Sequence, residues 1–124
     1  DVERSRGLGD VYKRQRKGQL MCLLVDQQLR EGLAVPFFGH PAQTSISHIK
    51  LAIRKNVPLI YMHTERIGGC HFRVTISPPV ELPDDDSDAA ILAAASQINT
   101  TIEGWIRARP EQWFWPHRRW GKNV

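Results

Sequence analysis

Residues 110–120 read PEQWFWPHRRW and hold three of the chain's four tryptophans, together with Phe114, His117, Arg118 and Arg119. Tryptophan couples a large apolar body to a single N–H donor, which suits a half-wet interface. Arginine presents a planar fork that matches phosphate. From Trp105 onward, Arg107, Arg109, Arg118, Arg119 and Lys122 stand against Glu111 alone, a local excess equal to the formal net charge of +4 for all 124 residues. Such a balance favours anionic partners. Three roles fit the segment. It can meet a phosphorylated lipid surface with Trp at headgroup depth. It can hold single-stranded nucleic acid with bases stacked on Trp. Or Trp113 and Trp115 pack under the domain and the basic residues are solvated.

Asp26 is the second candidate for chemistry. It follows LMCLLV at 20–25, a continuous apolar run bounded by Gly18. That pattern predicts a strand buried on both faces, as in a parallel or mixed α/β sheet. Asp26-Gln27 would then stand at the strand's C-terminal end, the edge where open α/β sheets bind ligands. A carboxylate there needs a partner: it caps the next turn, or it holds substrate or a catalytic cation. Arg66, beyond a second strand, is placed to approach the same edge or to be a solvent-exposed hairpin arginine. Phe37 and Phe38 lie in a loop with two Gly and two Pro, residues 32–41. They are core, or they line an apolar pocket for an acyl chain.

Other chemistries find no support. His40, His48, His63, His71 and His117 show neither HxxxH nor HExxH spacing, and no cysteine cluster accompanies them, so no metal site is expected. There is no GxSxG elbow, no GxGxxG and no P-loop, and no cofactor is expected. Cys22 and Cys70 read as two buried free thiols. No run of about 18 apolar residues occurs, and no secretory signal opens the chain.

The elements that must position these residues follow from periodicity. Thr44 or Ser45 can cap a helix carrying Ile46, Ile49 and Ile53 on one face, ended at Asn56 before Val57-Pro58. Residues 57–62 read as a strand, Gly68-Gly69 as a turn, and 71–76 as a partner strand with one face exposed. The acids at 84–88 precede a long helix with an apolar stripe at Ile91, Ala95, Ile98, Ile102 and Ile106, stopped by Pro110. The order implies an α/β fold.

Four blocks then carry a resemblance: DQQ at 26–28, VPFFGHPAQTS at 35–45, LAIRKNVPLIYMHTER at 51–66 and IEGWIRARPEQWFWPHRRW at 102–120. In this order and spacing they resemble the C-terminal half of the lipid A biosynthesis (lauroyl/myristoyl) acyltransferases, over about residues 17–120. The resemblance implies part of a lysophospholipid-acyltransferase-like α/β fold, a mixed sheet flanked by helices, working at the cytoplasmic face of the bacterial inner membrane. It implies transfer of a fatty acyl group from acyl carrier protein, or sometimes coenzyme A, to a hydroxyl of a lipid A precursor. No nucleic acid is then expected as a partner. Asp26 and Gln27 match the active-site edge. Phe37, Phe38, Gly39 and Thr44 match the substrate-cleft loop, and Arg66 matches a basic position after the second strand. Trp113, Trp115, His117, Arg118, Arg119 and Trp120 match the closing signature, placed against membrane and anionic headgroups.

The chain departs from the family pattern at the H-x4-D/E dyad, whose histidine serves as general base on the acceptor hydroxyl. Five positions after its histidines stand Ser45, Ile53, Gly68, Ile76 and Lys122, none of them acidic. The dyad and the hydrophobic anchor are therefore expected upstream of Arg16, and the chain itself is expected to be inactive. Residues 1–15 lack apolar periodicity, and their last six, DVYKRQ, resemble a translated sequencing adapter. They read as a non-native or naturally disordered tail, with 16–124 as the C-terminal part of one acyltransferase domain.

Overall fold

The computed structural model describes residues 20–121; the tail expected at 1–15 lies outside them. The first hairpin joins β1 (Gln28–Phe37) to β2 (His40–Thr44). Its two-residue turn is Phe38-Gly39, with φ of 50° and 79°. Two positive φ values make the type I′ geometry, whose twist matches that of the strands. The expected loop at 32–41 is thus a hairpin, and its prolines explain why it looked otherwise. Pro36 and Pro41 face each other one step beyond the turn-flanking pair Phe37 and His40. Residues at that step aim their backbone groups away from the partner strand, so a missing N–H costs no ladder bond. Between Gln28 and Leu33 the register shifts. Gly32 lies where the bulge crosses β2, and a Cβ there would stand 2.5 Å from the Thr44 carbonyl oxygen.

Helix α1 (Ser47–Lys55) starts behind Ile46, one position beyond the expected cap, and no side chain caps it. It ends at Asn56 in the left-handed conformation, whose N–H reaches the carbonyls of Ala52 and Ile53. Strand β3 (Met62–Gly68) begins where a strand had been expected to end; before it, Val57 bonds back to Ala52, and Leu59 and Tyr61 bond to Val80 and Ser77. It pairs antiparallel with β4 (His71–Ile76). Helix α2 (Asp88–Ala108) is capped by Ser87, whose hydroxyl accepts the Ala90 N–H, rather than by the preceding acids. Its stripe of Ile91, Ala95, Ile98, Ile102 and Ile106 is buried as the period required. A 3-10 turn, Pro110–Gln112, follows.

The core forms where α2 lies on β1, with Val35, Phe37, Ala42 and Ile49 packed against that stripe. The architecture is mixed α/β, but the single mixed sheet is replaced, among the described residues, by two separate two-stranded antiparallel sheets. The strand expected at 20–25 is absent: these residues are irregular, with Leu20 86% and Leu24 81% exposed. An apolar run becomes a buried strand only when neighbouring strands supply hydrogen bonds and cover, and none pairs here. The two thiols expected to be buried, Cys22 and Cys70, are both exposed.

Candidate functional site

Two of the singled-out segments, the first hairpin's tip and residues 112–120, meet in one cluster. Arg119 is its centre and is 1% exposed. Its guanidinium donates to the Gln43 carbonyl at 2.9 Å and to Thr44 Oγ1 at 2.8 Å, with Asn99 Oδ1 at 3.5 Å. It lies 5.0 Å over the Phe37 ring. Burial pushes the Arg119 pKa down, and the charge of the nearby Asp26 carboxylate pushes it back up. Asp26 thus offsets part of the cost of burying the guanidinium without forming a direct ion pair with it.

The hydroxyl of Thr44 fills its remaining capacity by donating to the Ala42 carbonyl at 2.9 Å. Asn99 donates to the Pro36 carbonyl at 2.9 Å. His117 Nε2 accepts the Gln28 N–H at 2.8 Å, so in this geometry that nitrogen is an unprotonated acceptor. Trp120 donates its indole N–H to the Phe37 carbonyl at 3.0 Å. Phe37 is ringed by Phe38, Trp120 and Trp113 at centroid distances of 5.0, 5.4 and 6.2 Å.

The turn itself is under constraint. Phe38 is an aromatic residue at positive φ, a conformation costing about 1–2 kcal/mol for an L-residue. Two groups of α2 hold it there. Glu103 accepts the Phe38 N–H at 2.7 Å, and the Arg107 guanidinium lies 4.7 Å over its ring. Strain of this kind persists where surrounding contacts over-determine it, and such places cluster at ligand clamps.

The placement of the candidates is uneven. Asp26, Phe37, Phe38, Gly39 and Thr44 belong to this cluster or its rim. Gln27 is exposed beside it, in the same bend as Asp26. Trp113, His117, Arg119 and Trp120 are turned inward; the polar groups of His117, Arg119 and Trp120 bond to the first hairpin and the Trp113 ring packs on Phe37, while Trp115 and Arg118 face solvent. Arg66 belongs elsewhere. Its guanidinium donates to the Gly69 carbonyl at 3.1 Å and lies 5.0 Å over Phe72. It lines an open groove of about 440 Å³ with Thr64, Phe72, Glu111 and Gln112.

Several participants were missed in the sequence. Asn99 stands i+4 from Ala95 and i+3 before Ile102, a polar residue on an apolar stripe, and that was the available signal. Glu103 and Arg107 read as an ordinary i,i+4 surface pair, at 3.1 Å. His48 is buried with no partner for either ring nitrogen, and burial lowers its pKa to about 4. Among the described residues no group of three His, Cys, Asp or Glu is placed to hold a metal, and no helix is long and apolar enough to cross a membrane.

A family model described as bacterial lipid A biosynthesis acyltransferase matches residues 2–122. No curated protein matches the chain.

Proposed function

The chain belongs to the bacterial lipid A biosynthesis acyltransferase family, and from that premise we propose that it contributes the substrate-holding, C-terminal part of a lysophospholipid-acyltransferase-like domain. The observation that carries this reading is the locking of the two signature blocks, PFFGHPAQT and WFWPHRRW, through Arg119–Thr44 and Trp120–Phe37. The reaction is transfer of a fatty acyl group from acyl carrier protein to a hydroxyl of a lipid A precursor. The hydroxyl oxygen attacks the thioester carbonyl as a general base removes its proton, the C–S bond breaks, and the carrier thiol leaves protonated.

The general base is the histidine of an H-x4-D/E dyad lying on polypeptide outside these 124 residues, so this chain alone does not turn over. Its own residues do the positioning. Asp26, Gln27 and the Phe38-Gly39 turn form the rim offered to substrate. Phe37 and Thr44, both buried, hold that rim from beneath, and Arg119 ties them together. Arg66 serves a second, anionic contact, and the reaction is placed at the cytoplasmic face of the inner membrane.

Trp fluorescence of the purified chain tests this reading, because Trp120 and Trp113 lie against Phe37. Lipid A precursor in detergent micelles is expected to change the emission saturably, and Phe38→Asp to abolish the change. Saturable binding of single-stranded DNA with a linear log–log salt dependence, and no response to the precursor, would refute it and favour a basic nucleic-acid module.

A further inference from the structure

The second hairpin is docked inside out. Its pairing places Met62 opposite Ile76, Thr64 opposite Val74 and Arg66 opposite Phe72 on one face. His63 with Thr75 and Glu65 with Arg73 occupy the other. The polar face is the one turned to the domain. His63 stacks on Trp105 at 4.4 Å with planes 2° apart, and Glu65 accepts from Arg109 at 3.1 Å. The apolar face looks outward, with Met62 64%, Phe72 53%, Val74 53% and Ile76 63% exposed. Antiparallel sheets ordinarily do the reverse, apolar inward and polar outward, and a contiguous outward apolar surface marks an interaction site.

We infer that this face is the surface by which the protein meets an anionic lipid bilayer. Three observations select that occupant. The six facing side chains carry one charge, the Arg66 cation, and no acid; Glu111 lines the groove beside Arg66 and Phe72. The chain's net charge is +4, so an anionic surface attracts it and Arg66 can extend its fork to lipid phosphates while its stem lies among acyl chains. The backbone also sets the depth. Open sheet edges cannot enter hydrocarbon, and this hairpin forms a sheet of two strands with no third among the described residues. The edge of β3 is closed at Arg66 by the side-chain amide of Gln112, which accepts its N–H and donates to its carbonyl, both at 2.9 Å. The hairpin therefore lies at the headgroup boundary, where water completes the remaining backbone bonds.

The inference rests on the membrane location in the proposed function and sets the contact on the hairpin, where the sequence had suggested the C-terminal tryptophans. Co-sedimentation of the full chain with phosphatidylglycerol and phosphatidylcholine vesicles tests it, with folding of each variant checked by circular dichroism. The wild type is expected to bind phosphatidylglycerol vesicles, with a part of the affinity surviving high salt. Val74→Asp, at an exposed position, should lower the partition coefficient about tenfold or more. Arg66→Gln should lower it about fivefold on the anionic lipid and little on phosphatidylcholine. Leu92→Gln, an exposed apolar residue in a different groove beside Leu33 and Ile46, should change nothing. Binding that survives Val74→Asp but is lost in Trp115→Ala would overturn the inference and leave the membrane contact standing. No wild-type binding would overturn both. A dimer in sedimentation velocity that Val74→Asp dissociates, without vesicle binding, would assign the face to a second copy and overturn the inference.

Discussion

The two hairpins of this molecule solve opposite problems. The first buries an arginine, a threonine and an asparagine in one hydrogen-bonded network and keeps its strained turn fixed from the side of α2. The second turns its polar face to the domain through one ion pair, one stacked His–Trp pair and one glutamine amide, leaving its apolar face to solvent. The difference teaches where precision is required and where an interface is required. A buried polar network of this kind specifies one geometry and is costly to disturb. A lightly docked sheet with an apolar outer face keeps its driving force for a partner.

That contrast can be broken most severely at Arg119. Arg119→Met is expected to lower global stability by about 3–5 kcal/mol, because it leaves the Gln43 carbonyl, Thr44 Oγ1 and Asn99 Oδ1 without their shared donor. A urea midpoint would measure it; a loss below about 1 kcal/mol would show that the network is not holding the first hairpin.

Acid is expected to act next, through His48. Its folded pKa of about 4 lies below the unfolded value of 6.5, so the unfolded chain binds the proton more readily. The stability it allows is therefore fully present above about pH 6.5 and is lost as pH falls toward 4, by up to about 3 kcal/mol. His48→Leu should remove that slope in a pH series of thermal midpoints, and an unchanged slope would rule His48 out as its source.

Gly32→Ala should cost about 1–3 kcal/mol, since a Cβ 2.5 Å from the Thr44 carbonyl oxygen forces the bulge off β2. The smallest effect belongs to the second hairpin. Gln112→Ala should cost about 1 kcal/mol and act locally. Hydrogen exchange should quicken in β3 and β4 while the amides of β1 and α2 keep their protection. Equal loss of protection in both hairpins would erase the distinction between them.

Much of this could be read from spacing. The α2 stripe and strand β4 were legible because each follows a regular period, and Gly68-Gly69 marked the turn to within a residue, whereas β3 was expected at 57–62 and runs Met62–Gly68. The first hairpin was not, because its turn sets an aromatic residue at positive φ, which propensity disfavours and tertiary contacts from Glu103 and Arg107 enforce. The strand expected at 20–25 failed for the complementary reason: its composition suits a buried strand, but pairing is a property of neighbours. Of the candidate site, the residue types were legible and their orientation was not. Arg119 reads as a surface cation, and what holds it inside is three acceptors and the Phe37 ring contributed from other parts of the chain. Arg66, expected either near Asp26 at one sheet edge or as an exposed hairpin arginine, is the latter, since no common sheet joins it to Asp26.

The most direct test of the central claim is acyl transfer by a chimera. Residues 17–121 would replace the corresponding part of a family member that carries the H-x4-D/E dyad, with lauroyl-acyl carrier protein and a lipid A precursor as substrates. Transfer by the chimera, reduced about a hundredfold in Asp26→Asn through misplaced substrate while Asp84→Asn is unaffected, is the expected result. A folded, membrane-bound chimera that transfers nothing, or one indifferent to Asp26→Asn, would contradict the assignment of this segment as the substrate-holding part of the enzyme.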